Sequence, residues 1–388
     1  MHHQLFTLLR NYYALTPVNR LQLPLILPPN RINDFLVCEI LINEHHQRYP
    51  PSPEYQKRFW KWAIAHLEEL ARVKTSGEDD EEFEIDSRIY DYYLSLMLPA
   101  GSSSGFPSRS ARSQIYGKSD PRSESPPSQS YVTHFWNMIE PPRTSSSSSL
   151  PLDRNEYHTA SLLESRTVVE GGTTGLRTWL ASFFLAQYLI LHPDLVSSKC
   201  IMELGSGIGF LGIIVASLQQ LHESTLKEKG SCWLTDINDE VLNRCRNNVN
   251  LPCNISSIHS NIHYRILDWH ESSEDDNSSM ATIINDDINP DLILGADVAY
   301  DPSLIPPLVG TLKVALHHSL RPAIIAITLR NEETWNYFFS SVASASLHVE
   351  EITTGFDRPS FWETVENQDM YWVVKLFRIT STAQIKPE

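Results

Sequence analysis

An α/β fold, with an open and mostly parallel sheet preceded by a separate helical domain, is what this sequence predicts. Three observations carry that expectation. After Leu150, short apolar runs rich in Ile, Val and Leu alternate with amphipathic runs of helical period, the pattern of a parallel sheet with right-handed crossovers. Before residue 99 the apolar residues recur at helical spacing without that alternation. The last two strand-like runs, "LHVEEITT" and "YWVVKLFRI", have no helical run between them, which predicts an antiparallel addition at the sheet edge.

The length, 388 residues, suits two domains, and the 41% of hydrophobic residues can supply a core for each. The expected organisation is a small helical domain over 1–98, a linker or insertion over 99–150 and the α/β domain over 151–388. In the first, "DFLVCEILINEHH" (Asp34–His46) and "SPEYQKRFWKWAIAHLEELARV" (Ser52–Val73) read as helices. Tyr55, Phe59, Trp62, Ala63, Leu67 and Leu70 form one stripe of the second. Ser52 stands before Pro53 as an N-cap. The acidic run "GEDDEEFEID" reads as a solvated loop, and "SRIYDYYLSLML" as a further short helix. Over 99–150 Ser, Pro and Gly dominate, a composition that buries too little apolar area to offset the entropy of ordering. Disorder is expected there, apart from "YVTHFWNMI" (Tyr131–Ile139), which reads as a strand pinned to a sheet.

In the α/β part the expected strands are "CIMELG", "CWLTD", "IHYRILDW", "PDLILGADV" and "AIIAITLR", followed by the two at the end. The helical runs between them include "FLGIIVASLQQLH", "DEVLNRCRNNVNL" and "EETWNYFFSSVASAS". "SLIPPLVGTLKVALHHSL" is read as helical despite prolines near its start. "ESTLKEKGS" and "HESSEDDNSSMATIINDDINP" read as loop insertions.

The formal net charge of −16 argues against a nucleic-acid partner, which usually meets a basic face. It suits a basic protein or peptide substrate. The five cysteines form no CxxC pair, and Cys200 and Cys232 sit in apolar runs, so a reduced, cytosolic chain is expected. No stretch is apolar enough for a membrane span, and the N-terminus lacks the charged and apolar regions of a signal peptide. His259 and His263 have i, i+4 spacing but fall where a loop enters a strand, and the adjacent His317 and His318 point to different faces of a helix. No metal site is expected.

The chemistry is concentrated in "IMELGSGIGF" (Ile201–Phe210). In an open parallel sheet, ligands bind at the carboxyl ends of the strands. Gly205, Ser206, Gly207 and Gly209 form a turn in which the backbone approaches a ligand without side chains in the way. The helix that follows offers unpaired N–H groups to a pyrophosphate or to a carboxylate, so the glycines alone do not separate a dinucleotide from S-adenosylmethionine. Glu203 does: at the end of the first strand it would oppose a pyrophosphate but would favour an ammonium. Asp236 ends the second strand, where an acid can accept from both ribose hydroxyls. Trp269, after the third, can lie against an adenine.

The order E-x-G-x-G-x-G, an acid-ended strand, "LDW" and "GADVAYD" resembles the seven-stranded, Rossmann-like S-adenosylmethionine-dependent methyltransferases. Asp297 and Tyr300 match the D-x-x-Y of their lysine-methylating branch, and Trp179 matches the tryptophan that precedes its first strand. "EGGTTGLRTWLA" (Glu170–Ala181) is similar to the eukaryotic translation elongation factor 2 lysine methyltransferases. Their helical-domain signature P-x-Y-x-x-R-F is matched by Pro53, Tyr55, Arg58 and Phe59. The resemblance implies transfer of a methyl group from S-adenosylmethionine to a lysine of elongation factor 2 in the cytoplasm. It places the cofactor on Trp179, Glu203, Gly205, Ser206, Gly207, Gly209, Asp236, Trp269 and Ala296. It gives Asp297 the task of orienting the amine and Tyr300 that of walling its channel. The rival readings are another lysine or a small amine as acceptor, an NAD-dependent oxidoreductase, and a binding module without activity.

Overall fold

A computed structural model describes residues 1–74, 83–98, 129–138, 156–170, 172–223, 229–273, 278–316, 320–354, 361 and 373–382. The chain divides into two compact units, one of residues 2–131 and one of Met1 with 132–388. The Ser- and Pro-rich segment expected at 99–150 lies outside the described residues except for 129–138, as do most of the acidic run and His317 and His318.

The smaller unit is helical. Its principal helices are α1 (His3–Tyr13), α2 (Pro29–Phe35), α3 (Glu44–Arg48), α4 (Pro53–Lys74) and α5 (Ser87–Met97). Ser52 Oγ accepts from Tyr55 N at 3.4 Å, so α4 starts where expected. Asp34–His46 is not one helix. After α2 the chain makes wide π-type turns over Leu36–Leu41, and Asn43 then caps α3 by accepting from His45 N at 2.9 Å. A short polar side chain that satisfies the next helix start competes with helix continuation.

The larger unit holds a seven-stranded sheet of β3 (Cys200–Leu204), β4 (Ser231–Asp236), β5 (Ile262–Ile266), β6 (Leu292–Ala296), β7 (Ala323–Leu329), β8 (Leu347–Ile352) and β9 (Val373–Ser381). Their order is β5-β4-β3-β6-β7-β9-β8. All pairings are parallel up to β7, and β9 runs antiparallel to both β7 and β8, as the two helix-free runs required. Earlier in the chain β1 (Gln129–Trp136) and β2 (His158–Ser165) form a separate two-stranded sheet. The sequence reading missed β2.

Pleating sends alternate strand residues into two cores. Ile201, Leu292, Leu294, Ile324 and Ala326 join the core beneath α6 (Leu180–Leu191), α7 (Phe210–Leu221) and α8 (Asp239–Val249). Met202, Ile293, Ala323, Ile325 and Ile327 join the opposite one. That second core is closed by α9 (Ser278–Ala281), α10 (Ile305–Leu316) and α11 (Glu332–Ser344). Each fully buried aliphatic side chain contributes ~1.5–3 kcal/mol of transfer free energy.

One expected loop is corrected here. Residues 278–288 form α9 and a continuing π-type segment, Thr282–Ile288, which deliver Met280, Ile284 and Ile288 into the second core. These residues are spaced i, i+4, i+8, one helical face, but the polar residues around them mask the period.

Candidate functional site

Parallel strands on either side of β3 carry the chain to opposite flanks, so a crevice opens at their carboxyl ends. There the structure has a cavity of about 420 Å³. It draws residues from the ends of β3, β4, β6 and β7, from the segment after β5 and from the loop leading into α6. Of the residues expected from sequence, Trp179, Glu203, Gly205, Ser206, Gly207, Asp236, Trp269, Ala296, Asp297 and Tyr300 line it.

Gly209 does not line it. Gly205, Gly207 and Gly209 all have positive φ, at 66°, 52° and 90°, the region that costs an L-residue about 1–2 kcal/mol. A Cβ on Gly207 would stand 3.1 Å from the Gly175 carbonyl oxygen, whereas one on Gly209 would stand 2.7 Å from Cys245 Sγ. Gly209 therefore serves the packing of α7 on α8.

The turn is held from its neighbours. Ser206 N donates to Thr235 O at 2.8 Å, and Thr235 N returns a bond to Ser206 Oγ at 2.9 Å. Gly207 N donates to Asp236 Oδ2 at 3.1 Å, and Asn238 N to Asp236 Oδ1 at 3.1 Å. Burial pushes the Asp236 carboxyl above its ordinary range, against the backbone donors that pull it down. The Trp269 ring lies 3.6 Å from where a Gly205 Cβ would be.

Glu203 is 4% exposed. Its Oε2 has no hydrogen-bond partner among the described residues. Burial, with a smaller push from the charge of Asp236, raises its carboxyl to about 8. A buried carboxylate without a cation is unfavourable, so this atom fits a ligand that brings an ammonium group to the cavity. It does not fit a pyrophosphate.

Asp297 follows β6 at φ 56°, and its N–H continues the sheet by donating to Ala326 O at 2.9 Å. It was expected to meet the incoming amine with its carboxylate. The structure gives that carboxylate other partners. Oδ1 accepts from Thr328 N at 3.0 Å, and Oδ2 accepts from Thr328 Oγ1 and Arg330 Nη2, both at 2.9 Å, and from Ala181 N at 3.4 Å. The following short turn is capped by Asp301, which accepts from Ser303 N at 2.8 Å. Tyr300 is 47% exposed and its hydroxyl accepts from Thr174 Oγ1 at 3.4 Å. Trp179 precedes α6, and its Nε1–H donates to Thr174 O at 3.1 Å.

Arg330 and Thr178 also line the cavity and were not anticipated, and Asp268, the acid of the LDW run, lines it too. Arg330 follows β7 directly, and the criterion that picked out Asp236, a charged residue at a strand's carboxyl end, finds it too. Asp268 Oδ1 accepts from His270 N at 2.9 Å. Thr178 Oγ1 donates to the buried Glu164 at 2.5 Å, and burial raises that carboxyl as well. The i, i+4 histidines have local roles: His263 stacks on Trp233 at 4.2 Å and bonds Asn261 at 2.7 Å. Among the described residues no cluster of His, Cys, Asp and Glu is placed to hold a metal ion. None of the described helices is long and apolar enough to cross a membrane.

A glycine turn cleared of side chains, beside a buried carboxylate that lacks its cation, fits S-adenosylmethionine, whose methionine part carries that cation. The class of protein is accordingly an S-adenosylmethionine-dependent methyltransferase. Residues 163–345 match the lysine methyltransferase family. It is 28% identical over 327 residues to Protein-lysine N-methyltransferase EFM3 of Chaetomium thermophilum, covering 82% of each chain. It is 29% identical over 195 residues to the human Protein-lysine N-methyltransferase EEF2KMT, covering 49% of this chain and 56% of that one, about half of its length. Among solved structures it is similar to a SAM-dependent methyltransferase from Aquifex aeolicus, with 14% identity and a TM-score of 0.34, covering 51% of this chain and 90% of that one. The enzyme class is protein-lysine N-methyltransferase with S-adenosylmethionine as methyl donor.

Proposed function

We propose that this enzyme methylates a lysine of translation elongation factor 2 in the cytoplasm. The observation that carries the reading is the meeting, in one cavity, of the glycine turn with its unsatisfied Glu203 and the D-x-x-Y turn of Asp297 and Tyr300. The similarity of Glu170–Ala181 and of the N-terminal signature to elongation factor 2 methyltransferases directs it to that substrate.

S-adenosylmethionine supplies an electrophilic methyl group. The chain's own residues bind, orient and exclude water. Glu203 receives the ammonium, and Gly205, Ser206 and Gly207 bring backbone against the ligand. Asp236 and Trp269 hold its nucleoside part, and Ala296 lets backbone reach it. Trp179 stands with the cofactor residues, and Tyr300 walls the acceptor side, where a neutral amine held in line gains most of its rate from positioning. Asp297 fixes the turn that carries Tyr300. In the helical unit Tyr55 donates to Thr16 O at 2.8 Å and Phe59 is fully buried. They are core residues of that unit, so Arg58, which is exposed, is the signature residue available to the protein substrate.

The experiment is incubation of the purified chain with methyl-labelled S-adenosylmethionine and recombinant elongation factor 2, followed by mass spectrometry. Label on a lysine of the factor is expected. Label on another protein of a whole lysate, with none on the factor, would replace the substrate and leave the chemistry standing.

A further inference from the structure

Five side chains form a connected wall on one side of the cavity. Arg330 Nη2 bonds Asp297 Oδ2 at 2.9 Å, and its guanidinium lies 5.1 Å from the centroid of the Trp179 ring. Trp179 bonds Thr174 O, Thr174 bonds the Tyr300 hydroxyl, and Tyr300 follows Asp297 by three residues. Of the ion pair, the Asp297 side chain is 2% exposed and that of Arg330 30%. Both residues line the cavity, and the guanidinium is the more open end of the pair. Arg330 already supplies that carboxylate with a cation, so an incoming ammonium would compete with it.

We propose that Arg330 is a positioning residue for methyl transfer. It neutralises Asp297, fixes the positive-φ turn that presents Tyr300, and reserves the acceptor side for an amine that is not held by that carboxylate. Trp179 keeps its separate anchor to Thr174 O, so loss of Arg330 should act on the acceptor side and leave the cofactor side in place. A buried carboxylate that loses its charge partner is strongly unfavourable, and the turn it organises should shift. The inference rests on the cavity being the methyl-transfer site. That reading fails if the wild-type enzyme transfers no methyl group, whereas this one is tested among active variants.

Arg330→Ala is expected to lower kcat by ~10²-fold, the scale of a lost positioning contact. Its affinity for S-adenosylhomocysteine, read by calorimetry, should stay within about threefold of wild type, under half of the 1.4 kcal/mol of a tenfold change. Guanidinium at millimolar, non-denaturing concentration should restore much of the rate by occupying the vacated position. An unchanged kcat, a parallel collapse of cofactor affinity, or no rescue by guanidinium would each overturn the proposal. If Arg330→Ala does not fold, Arg330→Lys and Arg330→Gln decide it. Lys keeps the charge on Asp297 and should retain clearly more activity than Gln, and equal losses would remove the role.

Discussion

Gly207 donates its backbone N–H to the Asp236 carboxylate at 3.1 Å. The turn after β3 is thereby fixed by the acid that ends β4, while Asp236 Oδ1 accepts from Asn238 N. Asp236 thus shapes the backbone of the glycine turn.

Asp236→Asn can accept only one of these two bonds, because its amide nitrogen is a donor. The variant should lose about 1–3 kcal/mol of local stabilisation, and its affinity for S-adenosylhomocysteine should fall at least ~10-fold. Calorimetry checks this. A wild-type affinity would mean that the turn does not depend on Asp236.

Cofactor binding is expected to depend on pH through Glu203. Its carboxyl, at about 8 in the ligand-free fold, must ionise to face an ammonium. Affinity should therefore fall as pH drops below about 8, approaching tenfold per unit. Glu203→Gln should abolish that slope and weaken binding throughout. A titration with the same slope in both proteins removes Glu203 from the site.

The same residue affects stability, with a definite sign. The ordinary carboxyl value is 4.5 and the folded value is about 8. Between them the folded ligand-free protein holds a proton that the unfolded chain releases, so stability is lost as pH rises through this window. Glu203→Gln should melt higher than wild type at pH 8, and by less at pH 5. A melting difference that does not change with pH would contradict the burial argument.

Gly209→Ala should damage folding and not binding chemistry. Its Cβ would meet Cys245 Sγ at 2.7 Å from a backbone at φ 90°, which combines overpacking, typically about 1–3 kcal/mol, with left-handed strain. Cys245→Ala in the same chain removes the clashing sulfur and should recover part of the lost melting temperature. Absence of any recovery would point to the backbone strain alone.

Arg58→Glu tests the helical unit. If Arg58 meets the protein substrate, kcat/KM for elongation factor 2 should fall ~10-fold or more, as for a charged contact at an interface, with unchanged cofactor affinity. Equal kcat/KM for variant and wild type would leave the signature a purely structural role.

The sequence by itself determined the α/β class, the seven strands of the main sheet, the antiparallel edge and ten residues of the cavity lining. These follow from local physics: period-2 and helical alternation, glycines where φ must be positive, and acids at strand ends, which an open sheet gathers at one edge. Tertiary structure decided what depends on partners remote in the chain. Strand β2 is invisible locally because part of its edge is satisfied by side chains. Asn248 accepts from Leu163 N and Asn254 accepts from Ser161 N, each at 2.8 Å across 85 and 93 residues. The fate of Asp297 depends on Arg330, 33 residues on, and that of Gly209 on Cys245. A residue's type sets what it can bond or tolerate, but only packing sets which partner arrives, and so whether an acid awaits a substrate or anchors a turn.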